Sequence, residues 1–65
     1  MIKVNAKELS FVENENLYDL LERAKFNPDF VAVEVDENLV KRENFKDYFL
    51  QDGAKVEVFA FVGGG

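Results

Sequence analysis

Apolar and polar positions alternate along this chain in short runs, separated by clusters that favour turns. Ile2-Lys3-Val4-Asn5 alternates with the period of a half-buried strand, and Glu8-Leu9-Ser10-Phe11-Val12 does so again with Leu9 and Phe11 on one face. The intervening Ala6-Lys7 is the predicted turn, which makes the pair an antiparallel hairpin. After the polar run Glu13 to Asn16 the period changes. Leu17, Leu20, Leu21 and Ala24 fall at i, i+3, i+4 and i+7, one apolar helical stripe. Asn16 suits the N-cap, Asp19 complements the helix dipole in the first turn, and Asn27-Pro28 is the predicted stop.

The second half returns to strand periods. Phe30 to Val35 reads as a strand with Val31, Val33 and Val35 facing inward. Asp36-Glu37-Asn38 turns the chain into the short segment Leu39-Val40. Lys41 to Phe49 is polar with Phe45, Tyr48 and Phe49 interleaved, which predicts one or two helical turns pinned by aromatic rings. Gln51-Asp52-Gly53 is a turn, and Lys55 to Phe61 is the last strand. A hairpin, a crossover helix and further strands describe an α+β fold of four to five strands, with the helix packed on one face of the sheet. The other face is left open to water or to a partner.

Along the last strand, alternation puts Val56, Val58 and Ala60 on one face and Glu57, Phe59 and Phe61 on the other. Burying an unpaired Glu57 beneath the helix would be costly, so its face is expected to be the open one. Two phenylalanines then lie on an uncovered surface, which suits partner docking. The competing arrangement is a bulge after Val58 that turns both rings inward.

The chain has 65 residues, enough for one small domain, and 48% of them are apolar, enough for a compact core. Cysteine and histidine are absent, threonine is absent, and Ser10 is the only serine. The usual nucleophiles and acid–base groups are therefore nearly missing, along with disulfide, CxxC and zinc chemistry. No glycine-rich phosphate loop precedes a helix, so the chain is not expected to bind ATP or any other cofactor itself. The acidic residues lack the spacing of a calcium loop, so no metal site is expected. A net charge of −5 disfavours nucleic acid and anionic membranes and fits a partner with a basic docking surface. No apolar run approaches the length of a membrane span, about 20 residues, and the start lacks a signal peptide's apolar region. A soluble, cytoplasmic monomer is expected.

The last strand leads directly into Val62-Gly63-Gly64-Gly65. Three glycines in a row cannot pack a core or hold a regular element. Residues 1–61 are thus read as the domain and 62–65 as a narrow C-terminal tail, reaching roughly 13 Å when extended at about 3.3 Å per residue. Such an arm suits insertion of a carboxylate into a tunnel where any Cβ would clash. The plainer alternative is a frayed end with no role.

Together these stretches resemble the thiamine-biosynthesis sulfur carriers, the ThiS family of ubiquitin-like β-grasp proteins. The resemblance rests on Asn16-Leu17-Tyr18-Asp19-Leu20-Leu21, on Val31-Ala32-Val33-Glu34-Val35, and on Asp52-Gly53-Ala54-Lys55-Val56-Glu57-Val58 leading to Gly63-Gly64-Gly65. Val40-Lys41-Arg42-Glu43 is similar to the family's Val-Pro-Arg stretch, with Lys41 where proline is common, and Ala54 stands where a second acidic residue is frequent. The resemblance implies a β-grasp fold. It implies that the Gly65 carboxylate is adenylated from ATP by an adenylyltransferase resembling ubiquitin-activating enzymes. Conversion to a thiocarboxylate and delivery to thiazole synthase would follow, with Gly63 and Gly64 lining both partners' channels. Three other roles are compatible with the residues: the small subunit of molybdopterin synthase, a ubiquitin-like modifier that acylates lysines, and an interaction module with an idle tail.

Overall fold

The computed structural model describes residues 1–60. Its strands are β1 (Ile2–Val4), β2 (Lys7–Leu9), β3 (Val31–Val35), β4 (Asn38–Val40) and β5 (Lys55–Ala60), with one α-helix, α1 (Leu17–Arg23). They form a single five-stranded sheet in the order β2-β1-β5-β3-β4. β5 runs parallel to β1 and antiparallel to β3, and the β1–β2 and β3–β4 pairs are antiparallel. The sheet is therefore mixed, with the last strand at its centre.

The alternation read from the sequence is the alternation of burial. Ile2, Val4, Val31, Val33, Val35, Val56 and Val58 point to one face, where Leu17, Leu20 and Leu21 of α1 meet them. All three leucines are fully buried, as are Val33 and Val56. Phe45, Leu50 and Ala54 close the core from the connection between β4 and β5.

Local chemistry sets the boundaries, and several differ from the sequence reading. The first hairpin turns at Asn5-Ala6 and not Ala6-Lys7, because Val4 pairs with Lys7. Asn5 takes the left-handed conformation at φ 54° that the tight turn demands and that asparagine tolerates. β2 stops at Leu9, so Phe11 packs half-buried against the core from the following loop, and Val12 is exposed.

Asn16 caps α1 through its Oδ1, which accepts from the Asp19 N–H at 2.7 Å. The helix ends at Arg23, five residues before Pro28. The Lys25 N–H donates to the Glu22 carbonyl at 3.0 Å and the Phe26 N–H to the Leu21 carbonyl at 2.8 Å, the paired bonds of a Schellman stop. Lys25 sits at φ 72° in the position where glycine is usual. Pro28 instead begins a 3-10 turn, Pro28–Phe30, capped by Asn27, so Phe30 precedes β3 and does not belong to it.

Asp36 and Glu37 both have positive φ, 50° and 72°, as a two-residue primed hairpin turn requires. The aromatic-rich connection holds a 3-10 helix, Arg42–Asp47. Phe45 and the half-buried Tyr48 pin it, whereas Phe49 is exposed and bridges Asn16 instead.

Candidate functional site: the central strand and the open sheet face

β5 carries the chain toward its C-terminal residues, so whatever fixes β5 fixes where they begin. On one side the whole of β5 from Val56 to Ala60 pairs in register with Val35 to Val31 of β3. The register is continuous, so no bulge follows Val58 among the described residues. On the other side β1 pairs only through Lys3 and Val4 before it turns away. There the Asn5 side chain takes over the ladder. Its Oδ1 accepts from the Val58 N–H at 2.8 Å and its Nδ2 donates to the Val58 carbonyl at 3.3 Å. A side-chain amide reproduces both hydrogen bonds of a peptide group, so one asparagine extends β1 by one pairing position. Sequence reasoning missed Asn5 as a positioning residue. Its signal was asparagine at the point where the first alternating run breaks.

Strand alternation and register place the residues of the open face. Val56 and Val58 face α1, and Glu57 and Phe59 lie on the opposite surface. Phe59 is 49% exposed and pairs with Ala32. Glu57 pairs with Glu34, which in turn pairs with Leu39 of β4, itself 67% exposed. Ala60 was expected to share the buried face but is exposed: it pairs with Val31 of β3, while on its other side β1 has already turned away at Asn5.

The result is a band of two carboxylates between two exposed apolar side chains. Like charges directly opposite each other on a sheet repel. Lys55, two residues before Glu57 on this face, and its pairing partner Lys3 supply cations toward one end, and a partner's basic group would further relieve the repulsion while the flanking leucine and phenylalanine lose their contact with water. The surface suits a partner that presents basic and apolar groups together.

Of the residues singled out in the sequence, Glu57 and Phe59 are thus brought together on the open face. Phe61, Gly63, Gly64 and Gly65 lie outside the described residues, as does the boundary between domain and tail. Among the described residues no cluster of acidic side chains is positioned to hold a metal ion. Ser10 is held by Arg23, whose guanidinium donates to the Ser10 carbonyl at 2.7 Å and to its Oγ at 3.4 Å. The same guanidinium grips Glu15 through two bonds of 2.9 Å, which raises the Arg23 pKa further. Both serve to fasten the loop before α1. No described helix is long and apolar enough to cross a membrane.

Comparison with known proteins extends over the whole of this arrangement. The sequence pattern of the ThiS family matches residues 2–65. The crystal structure of the thiamine biosynthesis protein ThiS from Geobacter metallireducens superposes with a TM-score of 0.77 at 31% identity, covering 98% of this chain and 97% of that one. Its solution structure gives the same score and covers 86% of that chain. Among sequences, the ycf40 protein of Porphyra purpurea is 31% identical over 98% of this chain and 90% of its own length. The ycf40 protein of Pyropia yezoensis is 34% identical over the same shares. The match spans every element from β1 through β5, and on it the chain belongs to the ThiS family, with the β-grasp fold.

Proposed function

We propose that this chain is a sulfur carrier of thiamine biosynthesis and that the carboxylate of Gly65 is its reactive group. The observation that carries this reading is the family match running through Gly63-Gly64-Gly65 on a chain almost without nucleophiles of its own. Residues 1–61 act as the rigid body and 62–65 as the arm. A separate adenylyltransferase resembling ubiquitin-activating enzymes binds ATP and joins AMP to the Gly65 carboxylate, releasing pyrophosphate. A sulfur nucleophile then displaces AMP, leaving a thiocarboxylate that thiazole synthase consumes. The chain itself binds no cofactor and works as a monomeric co-substrate and not as an enzyme.

In this reading the open face is the docking surface and Phe59 its anchor, with Phe61 continuing it toward the tail. Gly63 and Gly64 pass through the partners' channels, where side chains would clash. Glu57 and Glu34 meet basic groups of the partner, consistent with a chain of net charge −5.

The test is ATP–pyrophosphate exchange by the cognate adenylyltransferase, which reads adenylation directly. Phe59→Glu should raise the carrier concentration for half-maximal exchange by about 30-fold, the loss expected of an interface anchor. Its thermal midpoint should stay near that of the parent, because the ring is half exposed. Normal exchange by a folded Phe59→Glu protein would remove the open face from the docking surface.

A further inference from the structure

A cleft of about 400 Å³ lies between the tip of the β1–β2 hairpin and the C-terminal end of α1. It is on the helix side of the sheet, apart from the open face. Val4, Leu9, Ala24 and Phe26 supply apolar lining, and Lys7 and Lys25 stand at it from the hairpin and from the helix stop. No carboxylate lines it, although acidic residues outnumber basic ones 13 to 8 in the chain. Arg23 also borders the cleft, but its charge is met by Glu15. Lys7 and Lys25 form no ion pair among the described residues.

Lys25 adds a second observation. It occupies the left-handed position of the Schellman stop, which glycine would hold with less strain. The side chain here supplies a cation beside an apolar cleft whose volume falls within the range of small-ligand sites.

We propose that this cleft binds a small amphiphilic anion, its apolar body against Leu9 and Phe26 and its carboxylate or other acidic head between Lys7 and Lys25. The concave, apolar walls distinguish it from the flat sheet face that suits a protein partner. The site is independent of the sulfur-carrier reading.

Titration of the 15N-labelled full chain with decanoate, below its aggregation threshold, tests the assignment. Saturable shifts should concentrate at the amides of Ala6, Lys7, Ala24, Lys25 and Phe26, and decanol should bind more weakly than decanoate. Lys25→Gly should raise the thermal midpoint yet weaken decanoate binding by about two- to fivefold, the contribution of one exposed ion pair. Adding Lys7→Gln should weaken it by a similar factor again. A Lys25→Gly protein that binds decanoate as tightly as the parent overturns the proposal. So does equal binding of decanol, tighter binding of a short acidic peptide bearing one leucine, or shifts scattered away from the cleft.

Discussion

Asn5 joins local conformation to function through a single side chain. It makes the left-handed turn that ends β1, and its amide then accepts from the Val58 N–H and donates to the Val58 carbonyl. Asn5→Ala would remove both part-buried bonds to Val58 and leave an alanine at φ 54°. Each unsatisfied buried group costs about 1–3 kcal/mol, and the left-handed conformation adds about 1 kcal/mol for a residue with a Cβ. A total loss of about 2–4 kcal/mol is expected in chemical denaturation, with faster amide exchange at Val58. A change below about 0.5 kcal/mol would show that Asn5 does not hold the strand. Phe59 shows the other side of residue-scale reading. Its outward orientation followed from Glu57, because no pattern that buries Val56 and Val58 can bury their neighbours too. Asn5 could not be read in the same way. An asparagine at a turn is common, and its bond to a residue 53 positions away belongs to the topology and not to the local sequence.

At the scale of elements, α1 holds the sheet through one stripe. Leu17, Leu20 and Leu21 are each fully buried on it. Leu20→Ala should cost about 2–5 kcal/mol, against perhaps 3–5 kcal/mol available to a domain of this size. The protein should therefore be largely unfolded at 37 °C by circular dichroism. A stable Leu20→Ala protein would mean that the helix contributes little to the core. The stripe and all three valines of β3 were legible because burial repeats with the period of the element.

Element ends were less legible. Pro28 marks a boundary, but the helix had already stopped at a lysine in a glycine-like conformation, where no residue type announces it. The exposure of Phe49 was equally hidden. Three aromatics in a polar stretch say that something is pinned, while the 3-10 geometry decides which rings turn inward.

The whole molecule places its last strand at the centre of the sheet, between β1 and β3. Two neighbours therefore fix the register of β5. Element order alone did not reveal this, since the parallel pairing of the first and last strands joins residues more than 50 positions apart. The candidate docking surface is a consequence of the same topology. One helix covers one face, and the other presents Phe59, Glu57, Glu34 and Leu39 together.

Under the proposed function the Gly65 carboxylate carries sulfur. Intact mass spectrometry of the protein after incubation with its activating enzyme, ATP and a sulfide source tests it most directly. The expected result is a gain equal to one oxygen-to-sulfur exchange, localised to Gly65, and no gain in a folded variant with one residue appended after it. Thiolation of the appended variant, or linkage of the parent chain to lysines of other proteins with no sulfur gained, would contradict it.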